Sequence, residues 1–393
     1  MSNIIIGIGV LLLLIILGMI LRVQTLISVV RGPVNQRGGT SNKVNAALML
    51  VFLVVGSIAA VWVSFASADQ FLPEAVSEQG KQIDFLFWLT MGILCAVFFV
   101  THLLLFYFPY KYQFKESRKA TFYPDNNRLE VLWTVVPAIV LTILVLSGWK
   151  AWQQITSKAP ESAVVVEIVG KQFNWLVRYP GSKQKEIGTP RAELGAYDFR
   201  LIDAENELGI DFTDENSIDD FLPREIHIPK GRAVLFKIRA RDVLHSVFLP
   251  HFRMKMDAVP GMPTKFWINA TKTTAEMRAE TKNPNFNYEL ACTEVCGRGH
   301  FSMRMLVVVE EEAEFNKWVA EQKPWLASHQ DFITKLPANL QDKARRILGV
   351  DESAAPGTAS DSTAAAPTAS NEGIIKAVSN PTTAPVKSKG SVQ

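Results

Sequence analysis

Apolar residues are unevenly spread along this chain. They collect in four long runs near the N-terminus and then thin into alternating patterns. The runs cover roughly 4–22, 46–67, 85–108 and 131–149. Each approaches the ~20 apolar residues that cross a bilayer as a helix. The first run has no basic residue before it and no small-residue cleavage site after it, so it does not read as a removable leader. It is the weakest of the four, with a buried or re-entrant segment as its other reading.

Charge between the runs sets an orientation. Arg22, Arg31, Arg37 and Lys43 follow the first run with no acid among them. The second loop carries Asp69, Glu74, Glu78 and Asp84 against Lys81, and the third holds Lys111, Lys115, Arg118, Lys119 and Arg128. Basic loops stay in the cytoplasm. Four crossings then put both termini, and the polar half after residue 150, on the outer side of the membrane.

In that outer half the period shortens. AVVVEIVG (163–170) is a β-branched run. EIHIPKGRAVLFKIRARD (225–242) alternates, with Ile226, Ile228, Val234, Phe236 and Ile238 on one face. TKFWINA (264–270), FNYELA (286–291) and MRMLVVVE (303–310) also read as strands. Short strands divided by Pro-Gly and Lys-Gly turns predict an antiparallel sandwich or barrel. From 193 to 220 the rhythm breaks, with ten acids against one base, Arg200. That segment reads either as a solvated insertion loop or as an acidic docking surface that steers a basic partner. After 310 a short helix with acids in its first turn is expected, with a second helical piece near 338–348. From 351 the sequence is mostly Ala, Ser, Thr, Pro and Gly and reads as disordered. The resulting divisions are 1–44 (first helix and basic loop), 45–150 (three further membrane helices), 158–320 (outer β-domain, with the insertion at 181–224), 321–350 (helical extension) and 351–393 (tail).

Composition changes this picture little. A net charge of +3 over 393 residues gives no reason to expect a nucleic-acid partner. Three cysteines are too few for a disulfide framework. Cys95, inside an apolar run, reads as a small buried hydrophobe.

The chemistry concentrates in CTEVCGRGHFSM, Cys292 to Met303. Cys292 and Cys296 are four apart, His300 follows by four and Met303 by three. Gly297 and Gly299 mark a loop. Two Cys and one His with another His from elsewhere would make a zinc site. Thiolate, imidazole and thioether together suit copper. Met303 at ligand spacing, a strand-rich host outside the membrane, and His245 at the end of an alternating strand favour copper. His251, Met254 and Met256 are further potential donors that read more simply as strand and loop residues.

HSVFLPHFRMKMDAVPGMPTKFW (245–267) and ELACTEVCGRGHFSMRMLVVV (289–309) resemble subunit II of the haem–copper cytochrome c oxidases. The shared patterns are His-Ser, Lys-x-Asp-Ala-x-Pro-Gly and Cys-x-Glu-x-Cys-Gly-x-x-His-x-x-Met. RLEVLWTVVPA (128–138) resembles the family's second membrane helix. The resemblance implies membrane helices followed by a Greek-key, cupredoxin-like β-sandwich or barrel. It implies a dinuclear copper centre bridged by Cys292 and Cys296, with His245 and His300 on one copper each. Met303 would bind one copper weakly and the backbone carbonyl of Glu294 the other, and long, weak axial donors tune such potentials. The Glu294 side chain would bind magnesium at the interface with subunit I. It also implies an electron-entry role in a proton-pumping respiratory oxidase of a bacterial inner membrane: electrons from cytochrome c pass to the haem of subunit I, with subunits I and III as partners. No CxxCH occurs, so no covalent haem is expected in this chain.

Several features depart from or extend the family pattern. Its aromatic run after the membrane helices appears as GKQFNW, with Phe173 where the electron-entry Trp is expected and Trp175 in the second place. With the acidic insertion, this suggests a donor held as a cytochrome c domain of a neighbouring complex. Glu130 matches a proton-uptake position, and a solvated interfacial group is its other reading. Lys255 and Asp257 match interface positions or form a solvated pair. The two membrane helices in front exceed the family core. A quinol oxidase subunit would lack the copper ligands, and a nitrous oxide reductase would need a large catalytic domain. A membrane-anchored zinc or copper store would share the ligands without electron transfer.

Overall fold

The computed structural model describes residues 2–30, 40–115, 117–181 and 194–349; the tail expected from 351 and residues 182–193 of the insertion lie outside them. Four helices come first: α1 (Ser2–Val30), α2 (Thr40–Ala66), α3 (Glu78–Lys111) and α4 (Asn127–Thr156). Among the described residues three spans, Asn42–Ala66, Glu78–Lys111 and Asn127–Thr156, are long and apolar enough to cross a membrane. In α1 the described apolar stretch is Leu12–Ile27. The apolar side chains of α2, α3 and α4 largely face outward, as lipid-facing side chains do. Cys95 is among them, exposed on α3 rather than buried as its sequence context predicts; a membrane helix turns apolar residues out to lipid, not in to a core.

Among the described residues nine strands follow: β1 (Val164–Lys171), β2 (Asn174–Arg178), β3 (Ile226–Pro229), β4 (Ala233–Ala240), β5 (His245–Leu249), β6 (Met254–Ala258), β7 (Thr264–Asn269), β8 (Tyr288–Cys292) and β9 (Arg304–Glu310). They form a four-stranded sheet ordered β2-β1-β4-β7 and a five-stranded sheet ordered β3-β9-β8-β5-β6. The expected all-antiparallel pairing is corrected in two places, because β1 pairs with β4 and β3 with β9 in parallel. Parallel neighbours need a long crossover. The insertion and β3 supply it between β1–β2 and β4. Alternation then sorts the faces. Val166, Ile168, Phe236 and Ile238 meet Val247, Leu249, Leu290 and Val307 between the sheets.

Among the described residues the insertion packs on the domain instead of standing in solvent. Leu208 and Ile210 pack on Val169 of the outer sheet face. Ile218 and Phe212 join Leu326, Phe332, Leu336 and Leu340 in a second small core, built with α5 (Trp325–Ser328) and α6 (Ala338–Leu348). Phe212 stacks on Trp325 with centroids 5.2 Å apart. Beneath it lies a buried charge network. Glu167 takes Arg178 at 2.8 Å and Arg239 at 2.9 Å. These guanidinium groups also donate to the carbonyls of Gly195 and Leu208. Burial alone would raise the Glu167 carboxyl, but its two arginines outweigh that and hold it below its usual range.

The β-domain is tied to the membrane helices at two points. The α2–α3 connection threads along it: Val76 N–H donates to the His251 carbonyl at 2.8 Å and Thr271 N–H to the Val76 carbonyl at 2.9 Å. Ser77 caps α3 by accepting from Gly80 N–H and donates to the Phe252 carbonyl. At the end of α4, the Trp267 indole donates to the Gln154 carbonyl at 2.9 Å.

Candidate metal centre

β8 ends on Cys292, and β5, its neighbour, begins on His245. Val247 is the register partner of Cys292, so His245, two residues earlier, meets the loop that leaves β8. That loop turns on Gly297, whose φ of +132° suits glycine. It closes with Cys292 N–H donating to the Met303 carbonyl at 3.0 Å.

The six expected donors converge. The sulfurs of Cys292 and Cys296 are 3.9 Å apart, too far for a disulfide and within twice a metal–sulfur bond of about 2.3 Å. His245 Nδ1 lies 3.9 Å from Cys292 Sγ. His300 Nδ1 lies 3.6 Å from Cys296 Sγ, and Met303 Sδ lies 3.3 Å from the same sulfur. The Glu294 carbonyl is 3.3 Å from Cys292 Sγ. His245, Cys292 and Cys296 are buried, with ligand atoms within 4.8 Å of one another. Two thiols and a thioether beside two imidazoles and a carbonyl give a sulfur-rich set that fits copper better than zinc. Burial, reinforced by the neighbouring thiol, pushes Cys296 up to about 11. A thiol so high gives up its proton at neutral pH only to a metal.

Residues around the ligands fix their aim. Asp242 accepts a hydrogen bond of 2.8 Å from His245 Nε2, which leaves Nδ1 to face the sulfurs. Partial burial would raise Asp242, but the Gln172 and Val243 N–H groups and the His245 ring together hold its carboxyl below the usual range. Gln172 also donates to the Cys296 carbonyl at 2.6 Å. Trp175, only 1% exposed, donates its indole N–H to the Met303 carbonyl at 3.3 Å and sets its ring edge-on to His245. Gly170 has no room for more, since a Cβ there would lie 2.7 Å from His245 Cδ2. Phe173 lies over the loop glycines, 39% exposed. Val295 and Phe301 project outward from the loop, and Leu244 beside His245 does the same.

Asp242, Gln172 and Gly170 were not found by sequence reasoning. Asp242 alone left a signal, a carboxylate three residues before a candidate histidine. Glu130 is not part of this cluster: it is exposed in the first turn of α4, about 39 Å along the helix from Thr156 at 1.5 Å per residue. Lys255 and Asp257 pair at 3.2 Å, and Asp257 accepts from Ser246 Oγ. Met254 is buried in the main core rather than at the site.

Family models for cytochrome c oxidase subunit II match twice, the transmembrane domain over residues 65–150 and the periplasmic domain over 164–311. The alternative cytochrome c oxidase subunit 2 of Bradyrhizobium diazoefficiens is 30% identical over 285 residues, which is 70% of this chain and 91% of the relative. The chain belongs to the cytochrome c oxidase subunit 2 family. Another member, cytochrome c oxidase subunit 2 of Thermostichus vulcanus, is 29% identical over 67% of this chain and 82% of its own length. Among solved structures, the periplasmic domain of subunit II (CoxB) of Bradyrhizobium japonicum covers 42% of this chain and 95% of that one, at 23% identity and a TM-score of 0.27. A chain of a heme-copper terminal oxidase dimer covers 47% and 100%, at 16% identity and a TM-score of 0.26. The family models leave α1, most of α2 and everything after residue 311 unmatched.

Proposed function

We propose that this chain is the electron-entry subunit of a respiratory cytochrome c oxidase, and that Cys292, Cys296, His245, His300, Met303 and the Glu294 carbonyl hold its two-copper centre. The observation that carries this is the convergence of six donors, three of them soft sulfurs, each within 3.9 Å of a cysteine sulfur. A dinuclear copper group held there supplies one-electron transfer with little rearrangement. The protein's part is to hold the donors rigid. Asp242 fixes His245, Trp175 fixes Met303 and the His245 ring, and Gln172 fixes the loop at Cys296. Burial of both cysteines keeps water from the sulfurs.

Electrons arrive from cytochrome c, as a free carrier or as a domain of a neighbouring complex, at the exposed apolar rim of Phe173, Val295 and Phe301. They leave to the haem of subunit I. The Glu294 carboxylate, exposed beside its ligating carbonyl, supplies one ligand to a magnesium ion at that interface. Glu130 serves proton uptake at the opposite end of α4. The chain carries no haem of its own, and subunits I and III are its partners in the membrane. With α1 as a fourth crossing, the copper domain and both termini lie on the outer face of a bacterial inner membrane.

Rapid mixing of the purified oxidase with reduced cytochrome c tests the role. Copper absorbance should bleach before the haem is reduced. Cys296→Ser should abolish haem reduction by cytochrome c while a small-molecule reductant still reduces the haem. A Cys296→Ser oxidase that consumes cytochrome c at the wild-type rate would contradict the reading.

A further inference from the structure

The outward face of the four-stranded sheet carries charge in a register that the electron-transfer role does not use. Across the strands Arg178 stands opposite Glu167, Glu167 opposite Lys237, and Lys237 opposite Lys265. The first pair is satisfied inside the buried network. The last is two like charges directly opposed on antiparallel strands, about 5 Å apart at Cβ, an arrangement that destabilises a sheet. Neither lysine has a hydrogen-bond or ion-pair partner among the described residues. Glu167, which feels Lys237, is already held by Arg178 and Arg239. Beside them Arg239 is buried, and its Nη1 has no hydrogen-bond partner.

Glu167, Lys237, Arg239 and Lys265 line a cavity of about 490 Å³, whose other walls include Trp152 and Thr156 of α4 and Tyr197 of the insertion. It opens where two covers of the sheet meet, the insertion on one side and the end of a membrane helix on the other. Trp149 and Trp152, both exposed, mark that helix end as the membrane–water boundary, where tryptophan collects. The cavity therefore has a cationic floor, a largely apolar wall and a position at headgroup level.

We propose that this cavity binds an anionic phospholipid, its phosphate bracketed by Lys237 and Lys265 and its acyl chains running down α4 past Trp152. A phosphate oxyanion would remove the repulsion between the lysines and satisfy charge that the fold leaves open. Zwitterionic lipids carry the same phosphate with a cation beside it, and the paired lysines select against them.

The test is native mass spectrometry of the intact oxidase complex, extracted in mild detergent from membranes containing phosphatidylglycerol, with retained phospholipids counted. Lys237→Gln/Lys265→Gln should retain one anionic phospholipid fewer per complex than wild type, at unchanged copper content and subunit composition. Lys237→Arg should keep the lipid. Lys158→Gln, near the same helix end but paired with Glu161, should also keep it. An equal count in the double variant would overturn the proposal. Displacement of the lipid from wild type by millimolar inorganic phosphate would assign the site to a free anion instead. Loss of a neighbouring subunit from the double variant would mean that a partner's acidic side chain fills the cavity.

Discussion

At the residue scale, Trp175 shows how the site is held. Its indole is buried, so it makes no surface contact with a donor, and any electron path through it runs inside the protein. What it visibly does is position two ligands. Trp175→Phe keeps most of the bulk and loses one N–H donor, at a stability cost of about 1 kcal/mol. Copper content should stay unchanged, while a redox titration should show a shifted potential because the Met303 backbone and the His245 ring are freer. Gly170→Ala should behave differently. Its Cβ would meet the His245 ring at 2.7 Å, the ring must move, and metal analysis should find copper below the wild-type amount per chain. The six donors were legible because five of them fall within twelve residues whose chemistry has few uses. His245 lies 47 residues upstream of Cys292 and was placed by its strand-end position and the family pattern. Gly170 and Gln172 were not legible, because their importance is a distance across strands that sequence spacing does not encode.

At the scale of elements, the strands were readable from alternation and the directions of their pairing were not. Val164–Lys171 is buried along both faces and Ala233–Ala240 is exposed only at Lys237, but the order in which they pair is not written in either. The acidic insertion misled for a related reason. Its acids dominate its composition, yet Leu208, Ile210, Phe212 and Ile218 suffice to pack it against the sheet and the C-terminal helices. Glu167 is the pin of that arrangement. Glu167→Gln would leave Arg178 and Arg239 buried with too little negative charge, and should destabilise the fold by about 3 kcal/mol. Denaturant unfolding followed by tryptophan fluorescence would measure it.

Asp220, at the edge of the same network, gives a pH dependence. Burial outweighs Arg178, 3.4 Å away, and pushes its carboxyl up to about 8. The folded state therefore keeps a proton that the unfolded chain releases above about pH 4. Stability from this group is full below that pH and is lost as pH rises toward 8. Wild-type unfolding midpoints should fall between pH 5 and 8, and Asp220→Asn should flatten that fall. An unchanged slope would show that Asp220 is ionised in the folded protein.

At the scale of the whole molecule, the β-domain rests on a membrane base through the α2–α3 connection and the end of α4. The polar period after residue 150 and the apolar runs before it made this two-part plan legible. The contacts that join the parts were not, since they are backbone hydrogen bonds from a short, weakly patterned loop. The metal-centre geometry converges on the loop between β8 and β9, where a rigid sandwich edge presents its donors to one small volume. The most direct test is metal analysis with electron paramagnetic resonance on the protein purified after copper loading. Two coppers bound at this loop and sharing a single unpaired electron are predicted, with both lost in Cys292→Ser/Cys296→Ser. A single zinc with no signal, or one copper with an isolated spin, would contradict the account.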